Sequence, residues 1–445
     1  MLAFGLYTYF FLEAELLFTA RIGERFSENA ATVFYGLFCF AVAAGFFVFP
    51  LLCRVCRDKR PLVISASGSA CAVCALAAGV VQGGPLAALT LLAMLSAGIV
   101  GASLLSAMAS DIKDKSALGL VLAVPYAAAF VLQFILKPVT PLLGRHGMLF
   151  LHAAIAAAVG LSVILSSKTA GRKAREPEWA PEKTAETKRY LIGAVAAGLI
   201  IFCLYGMMDG IVMTLHSGQM LNPYGWVRLL CVPGILFAGW VFDLRGGRYF
   251  PFACVVAMVA AVIAVFLFDT AETYIAALGS IYFFCSFMTM YSLAVFVCVP
   301  DSLRAPAFWA AAGRGLKYLA GGMFALAGSL IFTNISILFL ALIYLALLIA
   351  LFVVFFFQGK LTPAEIADAG PPPDASFEEM TQGYGFTRRE AEVLKLLLAG
   401  QDTSDIAQTM VVTEKTVQNY VSALLSKTGA KSRLKLIAIF NRQTR

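Results

Sequence analysis

The stretch Phe386–Phe440, FTRREAEVLKLLLAGQDTSDIAQTMVVTEKTVQNYVSALLSKTGAKSRLKLIAIF, reads as four short helices with a start or stop signal at each junction. Thr387 to Glu390 has the spacing of a capping box, in which the hydroxyl and the carboxylate each satisfy one orphan amide. Ala391, Leu394, Leu397 and Leu398 follow at helical spacing, and Gly400 stands where a helix can end in left-handed backbone. Asp402 is placed to cap a second helix carrying Ile406, Ala407 and Met410. Val411 and Val412 fill a turn. Thr413 then caps a third helix with Val417, Val421 and Leu424 as its inner stripe, and Gly429 stops it. Ser432 opens a fourth, with Leu434, Ile437, Ala438 and Phe440 facing in.

Everything upstream is different in kind. The 445-residue chain is 60% hydrophobic and 13% charged, with a net charge of +8, against the quarter of charged residues usual in soluble domains. Hydropathy places spans at 2–20, 33–52, 62–81, 86–109, 117–137, 148–167, 190–215, 225–242, 251–268, 274–298, 310–332 and 335–357, each long enough for about 30 Å of hydrocarbon. The loop after span 2 carries Arg54, Arg57, Lys59 and Arg60. The loop after span 6 carries Lys168, Arg172, Lys173, Arg175, Lys183, Lys188 and Arg189. Loops of the opposite set hold little beyond Arg21, Arg25, Lys137 and Arg145. Cation bias therefore puts both termini in the cytoplasm of a multi-pass inner (plasma) membrane protein. The first apolar stretch contains Glu13 and Glu15 and lacks a basic leader, so it is expected to stay as a span. QGKLTPAEIADAGPPPDAS, residues 358–376, is a Pro- and Ala-rich linker between a membrane domain, 1–357, and a C-terminal domain, 377–445. It reaches at most about 60 Å when fully extended.

The C-terminal pattern resembles the LuxR-type helix-turn-helix over its whole length. The matching positions include Thr387, Glu390, Val393, Leu394, Ile406, Thr416, Val417, Lys427, Gly429 and Arg433. The resemblance implies double-stranded DNA as partner, with the third helix entering the major groove. Lys415, Gln418, Asn419 and Ser422 then meet base edges, Gln and Asn being able to pair bidentately with adenine. Thr416 and Lys427 are assigned to phosphates. The family usually carries Lys at 418, His at 420 and a basic residue at 404, where this chain has Gln418, Tyr420 and Ser404. Fewer cations release fewer counterions and weaken non-specific binding. The family also dimerises through its fourth helix, so a homodimer on DNA is expected.

Six spans, a basic central loop and six more spans look like the major facilitator architecture. GWVFDLRGGR, residues 239–248, is similar to that superfamily's glycine-rich loop at Gly239, Asp243, Gly246 and Arg248. The expected class is all-α: a twelve-helix transmembrane bundle followed by a four-helix helix-turn-helix domain without a wing. In a facilitator-like bundle, spans 1, 4, 7 and 10 line the central cavity. The polar residues there are Glu13, Ser96, Ser103, Tyr205, Asp209, Tyr282 and Ser286, a candidate set for a small-molecule ligand. Acids inside a bilayer usually face a cavity or a partner, whereas serines there mostly glue helices together. Arg314 and Lys317 are expected to snorkel to the headgroups. Three scattered histidines, no nucleophile–base pair and no phosphate-cradling loop argue against an enzyme, a metal site or a cofactor. The leading reading is a ligand-sensing, membrane-anchored transcription regulator. The alternative is a major-facilitator-type transporter carrying a regulatory DNA-binding tail.

Overall fold

A computed structural model describes residues 1–25, 28–56, 60–81, 83–112, 115–137, 140–170, 185–217, 225–266, 271–298, 306–334, 336–358 and most of 381–440. The linker and the basic loop after span 6 lie outside these, apart from their end residues. The chain divides into two compact units, one holding the apolar helices and one holding the C-terminal helices. No strand occurs among the described residues.

Apolar helices are the expected answer to hydrocarbon, where every backbone amide must bond within its own segment. Those of the large unit are α1 (Leu2–Arg25), α2 (Glu28–Val55), α3 (Arg60–Val80), α4 (Gly84–Asp111), α5 (Leu118–Leu136), α6 (Thr140–Ala170) and α7 (Ala185–Ser217). A 3₁₀ turn, Trp226–Leu230, leads into α8 (Cys231–Asp243), followed by α9 (Phe250–Val265). Next come α10 (Ala271–Met290), α11 (Pro306–Asn334) and α12 (Ile337–Gln358). The tenth continues through a π-helical turn, Tyr291–Val295, to Cys298. Tyr291 is fully packed there and its hydroxyl donates to the Ala194 carbonyl at 3.0 Å, joining α10 to α7.

Among the described residues, apolar helices overlie the expected spans, but twelve membrane spans is a stronger statement than those residues support. Ten are long and apolar enough to cross a membrane. The ninth is apolar but only 16 residues long, about 24 Å, and α11 is not among the ten. The sixth helix is also two pieces, broken at Gly144 where φ is 61°. Span 8 begins with the 3₁₀ turn rather than a regular helix.

Close approaches hold the bundle together. A Cβ added at Gly119 would lie 2.2 Å from the Gly239 carbonyl oxygen, so α5 and α8 touch backbone to backbone. Asp243, at the end of α8, secures the same crossing. Its two carboxylate oxygens accept from the Gly119 amide at 2.6 Å and the Leu120 amide at 2.9 Å. The acid of the glycine-rich loop thus caps the start of α5, using its exposed amides and positive dipole end. Arg245 lies over the Tyr249 ring at 5.7 Å.

The small unit contains α13 (Arg388–Leu398), α14 (Thr403–Met410) and α15 (Glu414–Thr428), followed by helical residues between Arg433 and Phe440. They close on one core: Val393, Leu394, Leu397, Ile406, Ala407, Met410, Val417, Leu424, Ala430, Leu436 and Phe440. Val393 enters this core, whereas Ala391 and Leu398 lie at its margin. Of the fourth stripe, Phe440 is buried as expected, and Leu436 joins it. Leu434, Ile437 and Ala438, like Gly400, lie outside the described residues.

Candidate functional site

Local chemistry fixes the helices of the small unit and thereby aims α15. The Thr387 amide donates to Glu390 Oε2 at 2.7 Å, and the Glu390 amide donates back to Thr387 Oγ1 at 3.3 Å, completing the capping box. Asp402 Oδ1 accepts from the Asp405 amide at 2.8 Å and starts α14. That helix ends at Val411, which is left-handed with φ 56° and 90% exposed. This backbone is unfavourable for a β-branched residue, and it turns the chain so that Thr413 can start α15. Thr413 Oγ1 accepts from the Thr416 amide at 3.2 Å and shares a 2.8 Å bond with the Thr416 hydroxyl. Gly429, with φ 69°, ends the helix.

Burying Val417 and Leu424 leaves the opposite face of α15 in solvent. Lys415, Gln418, Asn419 and Ser422 are all exposed, at the i, i+3, i+4, i+7 spacing of one helical stripe. Thr416 is half-buried, its hydroxyl engaged with Thr413. Lys427 is placed differently from the expectation. Its ammonium donates to Glu390 Oε2 at 2.6 Å and to the Gly385 carbonyl at 2.9 Å, tying α15 to the start of α13. Burial works against the Glu390 carboxylate, but bonds from Lys427 and Thr387 outweigh it and hold its pKa below the usual carboxylate range. The cation assigned to phosphate therefore already has an acid. Arg433 likewise turns inward, donating to the Gln401 carbonyl and, at 3.4 Å, to Thr403 Oγ1.

Inside the large unit the polar candidates fall into two places. Glu13 lines a cleft of about 350 Å³ with Tyr9, Phe130, Gln133, Lys137 and Arg228, a size that suits a small ligand. The Arg228 guanidinium lies over the Phe130 ring at 5.6 Å. Asp209 is grouped instead with Tyr205, Glu15 and Lys317, and Tyr282 lies within electrostatic reach of Tyr205. Glu13 and Glu15 are two positions apart, about 200° around a helix, so one helix supplies an acid to each place.

The serines are occupied with helix backbone. Ser103 Oγ donates to the Val100 carbonyl at 2.7 Å. Ser286 Oγ reaches the Tyr282 carbonyl at 2.9 Å and, across to α8, the Cys231 carbonyl at 3.3 Å. Ser96 is buried on α4.

Arg314 and Lys317 do not behave as snorkelling residues. Arg314 is 5% exposed, with its guanidinium 5.0 Å from the Tyr126 ring centre and 5.8 Å from that of Tyr318. Lys317 lies 4.9 Å from the Tyr318 ring and 5.9 Å from that of Tyr205. Arg314 is eight residues into α11, about 12 Å along its axis, and enclosed by its neighbours. The sequence places both cations near the cytoplasmic entry of span 11, which is why snorkelling was expected. The missed signal was Tyr318, adjacent to Lys317 and four residues beyond Arg314, an aromatic acceptor beside both.

Residues 385–440 match the family described as bacterial regulatory proteins, luxR family. The spore germination protein GerE of Bacillus subtilis (strain 168) is 43% identical over 47 residues, 11% of this chain and 64% of that one. The uncharacterized transcriptional regulatory protein YvfU of the same organism is 34% identical over 67 residues, 15% of this chain and 34% of its own length. The chain thus spans about a third of YvfU and just under two thirds of GerE. The structure of the human organic anion transporter MFSD10 (TETRAN) superposes with a TM-score of 0.51 at 14% identity. That match covers 80% of this chain and 97% of the transporter. Residues 385–440 thus carry a helix-turn-helix of the luxR type, and the chain shares the fold of that transporter.

Proposed function

We propose that this chain, whose C-terminal domain is of the LuxR type, is a membrane-anchored transcription regulator whose membrane domain senses a small molecule. The observation that carries the reading is the exposed stripe Lys415, Gln418, Asn419 and Ser422, set on a capped helix in the same chain as a facilitator-like bundle. Base edges in the major groove are the natural partners of such a stripe, and double-stranded DNA is the implied ligand of the domain. Both termini lie in the cytoplasm on this reading, in an inner (plasma) membrane, with a linker between domains 1–357 and 377–445. Two C-terminal domains pair on adjacent half-sites, which offsets the shortage of cations.

A ligand shifts a two-state domain only by its differential affinity for the two states. The start of α7 and the end of α12 are joined: Arg189 Nε donates to the Phe357 carbonyl at 2.6 Å and Gln358 Nε2 to the Tyr190 carbonyl at 3.3 Å. Asp209 and Tyr205 lie farther along that α7. Ligand-driven movement of α7 therefore reaches the first residue of the linker through these bonds. Capture of genomic fragments by the full chain in nanodiscs, followed by sequencing, tests the regulator reading. Enrichment of discrete sites near one operon supports it, and uniform recovery of DNA rejects it. A reporter fused after Arg445 that gave a periplasmic signal would separately reject the topology.

The transporter-like fold favours a second reading, a transporter with a regulatory DNA-binding tail. Uptake into liposomes holding the purified chain separates the two.

A further inference from the structure

A guanidinium buried in protein needs its donors filled, because an uncompensated charge away from water costs several kcal/mol. Arg314 is nine-tenths buried, and its Nη1 has no hydrogen-bond partner. The groups that face it are Tyr126, which also hydrogen-bonds it, Tyr318 and Tyr7. The acids of the chamber, Glu15 and Asp209, act on Lys317 instead. Lys317 therefore has counter-charges near it, and Arg314 is the cation left over. Ring faces compensate it only in part.

The surroundings add the second half of the argument. Tyr318 packs against Phe11 at 5.2 Å and stacks on Phe46 at 6.1 Å, and Tyr126 lies against Phe4 at 6.4 Å. Tyr205, Asp209 and Lys317 beside it are each partly exposed, whereas Arg314 is buried. An aromatic cage around a guanidinium that holds the Tyr126 hydroxyl but leaves Nη1 unfilled matches a carboxylate carried on an apolar body.

We propose that Arg314 anchors the carboxylate of an organic anion held among Tyr126, Tyr205 and Tyr318, with Lys317 as the second cation. This rests on the ligand-sensing reading above and names the class of ligand.

The test uses the full chain in nanodiscs at constant chloride, followed by thermal unfolding with benzoate or decanoate. Benzamide and benzylammonium serve as neutral and cationic matches to benzoate. A ligand that binds only the folded state raises the melting temperature by mass action. The expected result is a saturable rise with at least one carboxylate and little with benzamide or benzylammonium. Arg314→Gln should weaken the apparent affinity at least about tenfold, the loss of one charge-assisted hydrogen bond. Arg314→Lys should retain part of it. No rise with either carboxylate, a rise with benzamide equal to that with benzoate, or an undiminished rise in Arg314→Gln overturns the proposal. The comparison of benzoate with benzamide needs only the wild-type chain, so it stands even where the variant fails to fold. DNA capture by the same preparation reports on the regulator reading independently of any anion.

Discussion

Replacing Lys427 by alanine separates two roles that predict opposite results. A phosphate-binding lysine would leave stability nearly unchanged and lower the salt slope of DNA binding by about one. The structure makes it a latch. The Lys427–Glu390 bond is 2.6 Å long, between side chains 33% and 8% exposed, and a second bond runs to the Gly385 carbonyl. A hydrogen bond to a charged group contributes about 1.5–3 kcal/mol, and removing one partner leaves the other buried without it. The Thr387 amide still holds Glu390, so Lys427→Ala is expected to cost about 2 kcal/mol. For a domain of this size that lowers the melting temperature by roughly 8–16 °C. The double mutant with Glu390→Gln should show a coupling of 1 kcal/mol or more, on the order expected for groups in contact. The Glu390 pKa is depressed in the folded state, so this stabilisation is present above about pH 4.5 and disappears as pH falls through the folded value. Lys427→Ala should flatten that acid limb. Urea unfolding of residues 377–445 across this pH range, with DNA titrations at several salt concentrations, measures each quantity. A stability change within about 0.5 kcal/mol together with a salt slope lowered by one would refute the latch.

Asn419→Ala should cost about 1–3 kcal/mol on a cognate site and relax base preference, as should Gln418→Ala; equal losses on cognate and random DNA would dismiss the base-edge role. Val411→Gly should raise stability by about 0.5–1 kcal/mol, since relief of left-handed backbone at a β-branched residue exceeds the added unfolded-state entropy. A lower urea midpoint would contradict that. Asp243→Ala should lower the thermal stability of the full chain by about 1–3 kcal/mol by freeing two amides at the start of α5. An unchanged melting temperature in nanodiscs would remove the α8–α5 cap from the account.

The C-terminal domain was legible because its signals are local. Thr387, Asp402, Thr413 and Gly429 each act within three residues of the helix end they define, and the structure finds them at those ends. Lys427 was not legible in the same way. Its partner Glu390 is 37 residues away, and the capping box already gave that carboxylate a complete role. A lysine at the end of a DNA-facing helix has two destinations, outward to phosphate or inward to an acid, and only the fold decides. The core residues of α13 show a related limit. Periodicity alone admits several phases of the stripe, and the structure selects the one containing Val393.

In the membrane domain, composition revealed the helices but not the faces that meet. When a helix is apolar all round, its sequence period carries little information on which side is inward, so polar residues become the only markers. Glu13 and Glu15 mark opposite sides of α1, and a sequence reading that treats them as one site merges two environments. The first joins Gln133 and Arg228 in a cleft and the second joins Asp209 and Lys317, with Arg228 acting on the acids of both. The same reasoning explains the error over Arg314. Distance from a helix end suggested a cation near the headgroups, but snorkelling requires a side chain on the lipid face. Phe308, on the same helix, is 37% exposed, whereas Arg314 is 5% exposed and enclosed by tyrosines from α5 and its own helix. A cation facing inward at that depth must be answered from within the bundle, and the residues that answer it come from spans far apart in sequence.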